Sequence, residues 1–306
     1  MQNAISFLKA LSEIRSPFLD TLIQLITRLG EEVIVLGVIC VFYWCLNKNT
    51  AYKMGLIFFA SGMLVQGLKI SFRIERPFII DPTFKPVDSA LEAATGYSFP
   101  SGHTQSATSL YGYFAVAVKN RWLKLIFVLA FLLVGFSRLY LGVHTYFDVG
   151  VSLVLTLMIV FLVNYLFEKL SSGEYDLVLS AVLAAVSVFL CVYAFILARS
   201  GYAAPEQIND CFKSGGAGVA FALGFYLERR YLKFDVSADK TYIQVIKFAL
   251  GVAGALLVKS GLKLIAPGNL IIDFIRYFLT VFWVLFIYPY IFTKVLSRCG
   301  KSETAE

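Results

Sequence analysis

Charged residues are scarce in this chain. They occupy 15% of the 306 positions, whereas 58% are hydrophobic. A soluble domain of this length cannot bury so much apolar surface, so the composition excludes an ordinary soluble protein. The 27 Lys and Arg against 20 Asp and Glu give a net charge of +7. These cations are dispersed between apolar runs, which is typical of membrane topology, so no nucleic acid partner is expected.

Cysteine and histidine, the usual soft metal ligands, are also few. The five cysteines have no CxxC spacing and lie within or beside apolar runs, so we interpret them as small buried hydrophobic residues: Cys40, Cys45, Cys191, Cys211 and Cys299. Only two histidines occur. No metal site, no disulfide and no cofactor is therefore expected. The N-terminus lacks the basic segment, long apolar core and small-residue cleavage site of a signal peptide.

The apolar runs predict an all-α, polytopic membrane helix bundle. We predict an interfacial helix in residues 1–18, a six-span core in residues 19–199, and about three further spans in residues 200–306. The nine predicted spans are approximately 19–46, 51–72, 101–118, 121–140, 144–167, 176–197, 211–227, 243–264 and 270–296. Gly216, Ala220 and Gly224 recur at every fourth position and predict a close helix–helix approach.

The loop cations predict an orientation. With nine spans, one side collects most of them and should be cytoplasmic, which puts the N-terminus outside and the C-terminus inside the cell membrane. Lys9, Arg15 and Arg28 count against this orientation. The cations on the predicted cytoplasmic side are Lys48, Lys53, Lys119, Arg121, Lys124, Lys169, Arg229, Arg230, Lys233, Lys240, Lys294, Arg298 and Lys301.

One polar stretch, Phe99-Pro100-Ser101-Gly102-His103, opens an apolar helix on the opposite, non-cytoplasmic face. Ser101 is a good N-cap, so the following amides should point out of the helix terminus, where the helix dipole favours an anion. Gly102 would let that anion approach the backbone closely. Taken alone, the same pattern also describes an ordinary capped helix.

A second polar stretch contains His144 and Asp148. Four residues apart, they share one helix face, so Asp148 can hold one ring nitrogen of His144 and direct the other toward a substrate. A capping histidine beside a polar residue is the alternative. The cations Lys69, Arg76 and Arg138 border spans and favour an anionic partner, since snorkelling to the interface explains one of them more easily than three.

Together these stretches resemble a known signature. Lys69 is followed after six residues by Arg76-Pro77; Pro100-Ser101-Gly102-His103 follows; Ser137-Arg138 is followed after five residues by His144 and after three more by Asp148. This constellation resembles the type 2 phosphatidic acid phosphatase (PAP2) superfamily, in its membrane-bound lipid phosphatase branch, over roughly residues 51–165. The nine spans also resemble the glucose-6-phosphatase branch, in topology only.

The resemblance implies a metal-independent phosphatase that works through a phosphohistidine. His144 would attack phosphorus, Asp148 would orient it, and His103 would protonate the leaving oxygen and then activate water. The residues implied in holding the phosphoryl oxygens are Lys69, Arg76, Ser101, Gly102 and Arg138.

We therefore expect a hydrolase of a lipid phosphate or lipid pyrophosphate, such as undecaprenyl pyrophosphate, phosphatidylglycerol phosphate, phosphatidic acid or a sphingoid phosphate. Residues 78–99 are expected to sort the headgroup. A lipid-dependent phosphotransferase shares the same site, and a homodimer is left open. A transporter or flippase would instead use the intramembrane charges Lys259, Lys263, Asp273 and Arg276. Snorkelling at helix ends and interhelical pairing are the favoured interpretation of these four residues.

Overall fold

The computed structural model describes residues 2–169, 173–237, 241–263 and 268–296. Within these ranges every regular element is helical and no strand occurs. This confirms the all-α prediction. The predictions for Lys240, Arg298, Cys299 and Lys301 fall outside the described residues.

Within residues 2–169 the structure has nine α-helices, two of which continue into a wider π-helical turn. α3 continues through such a turn at Phe42–Leu46, and α6 is joined to α7 by another at Thr108–Gly112. The bounds are α1 Gln2–Ser12, α2 Pro17–Arg28, α3 Glu32–Val41, α4 Lys48–Phe72, α5 Pro77–Ile80, α6 Gly102–Ala107, α7 Tyr113–Ala117, α8 Arg121–Tyr140 and α9 Tyr146–Lys169.

The second half contains α10 Asp176–Arg199, α11 Pro205–Leu227, α12 Thr241–Lys263, α13 Leu270–Phe282 and α14 Tyr288–Ile291. α11 is extended by a π-helical turn at Glu228–Leu232, and two more flank α14 at Trp283–Ile287 and Phe292–Leu296. Each of the nine predicted apolar spans coincides with one of these helices or helix pairs.

Six helices of the described chain are long and apolar enough to cross a membrane, or seven if the bent pair α2 and α3 counts as one span. The helix over residues 102–117 rises only about 24 Å, less than the roughly 30 Å of a hydrocarbon core. α11 is long but carries Asp210 and Lys213 in its first half. The protein is therefore a multi-pass membrane protein, with two of the nine predicted spans shorter or more polar than a typical span.

The first predicted span, residues 19–46, is two helices bent by 42°. Ser16 caps α2 and Pro17 occupies its first turn, as the sequence indicates. At the bend, a Cβ on Gly30 would lie 2.6 Å from Val134 and 2.9 Å from the His103 carbonyl. Glycine thus permits the backbone to pass close to both neighbouring helices.

The helices form two compact units by their contacts. Unit 1 comprises Met1–Gly37, Leu56–Tyr165 and Ala194–Ile208. Its α1 buries Ala4 and Leu8, so the predicted interfacial helix is packed against protein on one face. Beyond α1, the Arg15 guanidinium donates to the carbonyl of Tyr140 at the end of α8. A buried cluster of Ile23, Ala90, Tyr140, Leu141 and Val143 lies in this unit.

Unit 2 comprises Val38–Gly55, Leu166–Tyr193 and Asn209–Glu306. Its core includes a polar cluster in which the fully buried Glu228 accepts hydrogen bonds from Lys48, Tyr52 and the Phe234 amide. The predicted approach of small residues is confirmed at two positions. A Cβ on Gly216 would collide with the Phe274 backbone.

At the second position, a Cβ on Gly224 would lie 2.8 Å from Leu285. Three of the four intramembrane charges are paired or stacked: Arg276 lies 2.6 Å from Asp273, and the Lys259 ammonium lies 5.7 Å from the Tyr277 ring. The Asp273–Arg276 pair lies within α13, so it is not the interhelical pair expected from the sequence, and Lys263 at the end of α12 is exposed. The four described cysteines are free thiols: Cys40, Cys45, Cys191 and Cys211.

Candidate active site

Lys69 and Arg76, the first two cations of the signature, lie near the end of α4 and bind the backbone of the following loop. The Lys69 ammonium donates to the Tyr97 carbonyl at 2.5 Å. The Arg76 guanidinium donates to the carbonyls of Thr95 at 2.6 Å and Gly96 at 3.0 Å. Both cations are buried. The long loop after α4 is therefore held by charge-assisted hydrogen bonds to its own backbone.

The turn after α8 brings His144 to the same cluster. Gly142 has φ +78°, which glycine adopts without strain, and a Cβ there would lie 2.8 Å from the Phe84 ring. The Val143 amide donates back to the Arg138 carbonyl at 3.3 Å, which ends the helix in a left-handed cap. The Val143 carbonyl then accepts from Arg76 at 3.1 Å.

His144 is 2% exposed, and its two ring nitrogens face different partners. Nε2 lies 3.4 Å from Nη1 of Arg76. Nδ1 lies 3.3 Å from the Ser98 hydroxyl and 3.6 Å from Oδ2 of Asp148. The Ser98 hydroxyl donates to that same carboxylate oxygen at 2.5 Å. Ser98 thus bridges the imidazole and the carboxylate.

Asp148 is fixed by a helix cap as well as by Ser98. Its Oδ2 accepts from the Thr145 amide at 2.7 Å, and the Thr145 hydroxyl accepts from the Asp148 amide at 3.4 Å. This is the reciprocal arrangement of a capping box at the start of α9. The Asp148 carbonyl also accepts from the Ser101 amide at 3.1 Å, which joins α9 to the start of α6.

The start of α6 is capped as the sequence predicts. The Ser101 side chain accepts from the Thr104 amide and hydroxyl, at 3.4 Å and 2.9 Å. A Cβ on Gly102 would meet nothing within 4 Å, so the backbone at this helix terminus is open. His103, half-buried, follows on the first turn. Burial lowers the pKa of its imidazole to about 3, and the positive charges of Arg138, Arg76 and Lys69 act in the same direction.

Arg138, on the last turn of α8, is 2% exposed. Its Nη1 donates to the Thr27 hydroxyl at 2.8 Å. Its Nε is buried and has no hydrogen-bond partner among the described residues. A buried guanidinium N–H without an acceptor is costly, so this group has donor capacity for an anion.

The electrostatics keep His144 neutral. Burial lowers the pKa of His144 well below its ordinary value of 6.5, and the positive charges of Arg76 and Arg138 act in the same direction. The interaction with the Asp148 carboxylate opposes this shift and does not overcome it. At neutral pH the imidazole is therefore an unprotonated base.

Direct side-chain contacts join Arg76, His144 and Asp148. Ser101 is connected to this group through its backbone amide, and Lys69 through its hydrogen bond to the loop backbone. Gly102, His103 and Arg138 lie on the two adjoining helix ends. Sequence reasoning missed Ser98 and Thr27. The sequence around Ser98 or Thr27 does not predict these contacts, since the partner of each residue is distant in the chain. The Thr145-x-x-Asp148 capping-box spacing was available in the sequence.

Among the described residues, no group of three or more His, Cys, Asp or Glu side chains is arranged to hold a metal ion. The polar groups of the cluster are instead three cations, two imidazoles and one carboxylate, together with open helix amides. Such a set suits a multiply charged oxyanion.

Comparison with known proteins gives matches along most of the chain. The PAP2 superfamily pattern matches residues 50–172, and the pattern described as PAP2 superfamily phosphatase, transmembrane extension, matches residues 212–300. Phosphatidylglycerophosphatase B of Bacillus subtilis (strain 168) is 32% identical over 177 residues, which cover 53% of this chain and 82% of that protein. Undecaprenyl-diphosphatase BcrC of the same organism is 30% identical over 150 residues, covering 47% and 72%.

Sphingosine-1-phosphate phosphatase 2 of Mus musculus is 23% identical over 268 residues, which cover 80% of this chain and 73% of that protein. The crystal structure of the first transmembrane PAP2 type phosphatidylglycerolphosphate phosphatase from Bacillus subtilis matches with a TM-score of 0.47 at 29% identity, covering 55% of this chain and 86% of that one. The chain therefore belongs to the PAP2 superfamily and is a multi-pass membrane phosphatase of that type.

Proposed function

We propose that this protein hydrolyses a lipid phosphate or lipid pyrophosphate through a phosphohistidine intermediate on His144. The observation that carries the proposal is the position of the His144 Nε2, which lies 3.4 Å from the Arg76 guanidinium. The nucleophilic nitrogen and a donor for phosphoryl oxygens therefore face the same point.

In the first step, the lone pair of His144 Nε2 attacks phosphorus. An N–P bond forms, and the P–O bond to the lipid leaving group breaks. The negative charge of the bound phosphate offsets the three cations and favours a protonated His103. The proton of His103 goes to the leaving oxygen, so that an alcohol or a lipid monophosphate departs. In the second step, water attacks phosphorus and gives its proton to His103. The N–P bond then breaks, and inorganic phosphate is released.

Ser98 acts in this mechanism as a positioning residue. Its single hydroxyl hydrogen is donated to Asp148 at 2.5 Å, so its lone pair is free to accept the Nδ1 proton of His144 at 3.3 Å. This relay keeps the proton on Nδ1 and leaves Nε2 unprotonated. Asp148 supplies the negative charge that stabilises the imidazole as it becomes cationic.

The phosphoryl oxygens would be held from two sides. The open backbone at Gly102 and the cap at Ser101 present helix N-terminal amides, which favour an anion. Arg138 adds the buried Nε donor that has no partner in the described chain. Arg76 and Lys69 contribute positive charge as the charge of the transition state develops.

The substrate is proposed to be a lipid because the helices around the site expose large apolar side chains, including Leu132 and Leu133 on α8. Two bacterial relatives are named for phosphatidylglycerophosphate and undecaprenyl diphosphate, and the mouse relative for sphingosine 1-phosphate. The match to the mouse protein covers 80% of this chain, so it extends beyond residue 199. This favours a single-chain lipid monophosphate among the candidates.

The reaction is proposed to occur at the non-cytoplasmic face, with the N-terminus outside and the C-terminus inside. The support is the distribution of loop cations in the sequence. Residues 95–97, whose carbonyls Lys69 and Arg76 bind, lie near the end of the loop that is proposed to sort headgroups.

Phosphate release by the detergent-purified full chain, with EDTA present, tests the function. The panel contains sphingosine 1-phosphate, phosphatidic acid, phosphatidylglycerol phosphate, undecaprenyl pyrophosphate and glucose 6-phosphate. We expect release from at least one lipid and its loss in His144→Ala. Acid-labile, base-stable radiolabel on the protein would trap the N–P intermediate. Release that persists in His144→Ala would refute the mechanism, and no release from any lipid would favour a transferase.

A further inference from the structure

A cavity of about 240 Å³ lies in unit 2, outside the candidate active site. It is bounded by the first turns of α4 and α10, the last turn of α9 and the turn after α11. Its polar lining is Asn49, Lys53, Asp176 and Arg229, and its apolar lining includes Phe167 and Leu179. The cavity therefore combines cations, an amide and an apolar wall.

The cations are not balanced by carboxylates. The Arg229 Nε donates to Asp176 at 2.7 Å. The Lys53 ammonium lies 5.7 Å from the centre of the Phe167 ring and forms no ion pair with any carboxylate in the described parts of the chain. The neighbouring Glu228 is already occupied by Lys48. Two cations and a single carboxylate thus line the cavity.

Arg229 is held rigidly as well as charged. Its guanidinium lies 5.9 Å from the centre of the Tyr52 ring and 5.4 Å from that of Phe225. Cation–aromatic contacts of this kind fix the orientation of the donor fork while leaving further N–H groups available. A preoriented guanidinium beside an unpaired ammonium suits a tetrahedral oxyanion.

The cavity is separate from the catalytic cluster. The residues that line the cavity belong to unit 2, whereas the residues of the catalytic cluster belong to unit 1. None of the residues that line the cavity belongs to the proposed catalytic machinery. A ligand here would therefore be additional to the substrate.

We infer that this cavity binds a phosphate group, with Lys53, Arg229 and Asn49 as its donors. In a membrane protein the source that fits the apolar wall is the headgroup of an anionic phospholipid, whose chains would lie against Phe167 and Leu179. Inorganic phosphate needs the same hydrogen-bond donors but would make no contact with the apolar side chains of Phe167 and Leu179.

Thermal unfolding of the full chain in neutral detergent tests the site, since a ligand that binds only the folded state raises the unfolding temperature. The probes are short-chain phosphatidylglycerol, inorganic phosphate and short-chain phosphatidylcholine. Phosphatidylglycerol is a phosphodiester, which the proposed reaction does not consume. The variants are Lys53→Gln, Asp176→Asn and the control Lys124→Gln, which removes an exposed lysine from the first turn of α8.

We expect phosphatidylglycerol to stabilise wild type and Lys124→Gln alike, and Lys53→Gln to require about tenfold more lipid for the same shift. Asp176→Asn removes the competing carboxylate and should require less. A Lys53-dependent shift with inorganic phosphate at equal concentration would assign the site to free phosphate. Equal shifts in wild type and Lys53→Gln, or an equal shift with phosphatidylcholine, would overturn the inference. Hydrolysis is not the readout, so failure here is separate from failure of the proposed reaction.

Discussion

Ser98→Ala is the sharpest test of the proposed active site. The hydroxyl of Ser98 is 1% exposed and bridges Asp148 at 2.5 Å and His144 at 3.3 Å. Without it, the Nδ1 of His144 has only the longer 3.6 Å approach to the carboxylate. Asp148 itself stays in place, because it keeps the hydrogen bond from the Thr145 amide. The substitution therefore removes the relay and leaves the helix cap intact.

The expected loss follows from the hydrogen bond removed. A hydrogen bond to a charged group contributes about 1.5–3 kcal/mol, and each 1.4 kcal/mol is a factor of ten in rate. Because the relay stabilises the imidazole as it becomes cationic, the loss should appear in kcat as a fall of about 10- to 100-fold. KM should change by less than about threefold, since no proposed phosphate donor is altered.

The assay is steady-state phosphate release from the best lipid of the panel, with unfolding temperature measured in parallel. Ser109→Ala is the matched control, because Ser109 is equally buried but donates only to the carbonyl of Ser106 in its own helix. A Ser98→Ala enzyme whose kcat stays within twofold of wild type would refute the relay. A fall of the same size in Ser109→Ala would attribute the effect to general packing.

Three further predictions concern His144, Gly102 and Gly216. Because burial lowers the pKa of His144, ¹⁵N-histidine NMR should show a neutral ring that is protonated on Nδ1 at pH 7. The ring should stay neutral as the pH falls through 6.5. A ring that is already charged at pH 7 would contradict the mechanism. Gly102→Ala should leave the unfolding temperature unchanged or raised, since the new Cβ meets nothing within 4 Å. Its KM should rise about tenfold, because the methyl group occupies the space in front of the amides where phosphate is proposed to bind. An unchanged KM would remove Gly102 from the site. Gly216→Val should destabilise the protein by about 1–3 kcal/mol, because the new side chain collides with the Phe274 backbone. Denaturant unfolding measures this, and the control is Gly261→Val, whose Cβ has open space. Equal stabilities of the two variants would contradict the packing.

Much of the local structure was predictable because its causes are local. The apolar runs predict the helices, since a backbone in lipid must satisfy its hydrogen bonds within the segment. Ser16 and Ser101 predict their helix starts, because a cap bonds to amides two or three residues away. The spacing of His144 and Asp148 predicts that they share one helix face. The two side chains do lie close together, but α9 begins at Tyr146, so His144 lies in the turn before the helix and meets Asp148 at the helix cap.

The bend in the first predicted span was not predictable in this way. Residues 19–46 are predicted as one span, apolar except for a few charged residues such as Glu31 and Glu32, yet the helix breaks at Gly30. At the break the backbone passes close to Val134 and the His103 carbonyl, which are both more than 70 positions away in the chain. Helix continuity here depends on what packs against it, and periodicity carries no information about that.

Composition, capping and spacing along single segments are enough to predict the helical class, the membrane setting and most of the residues proposed for phosphate chemistry. Contacts across the fold place Ser98 between His144 and Asp148, Thr27 against Arg138, and Lys53 at a cavity, and these are visible only in the folded structure. Each of these contacts joins residues distant in the chain. The geometry of these contacts is set by how the helices pack. A single hydroxyl or ammonium has no sequence pattern from which its partner could be predicted.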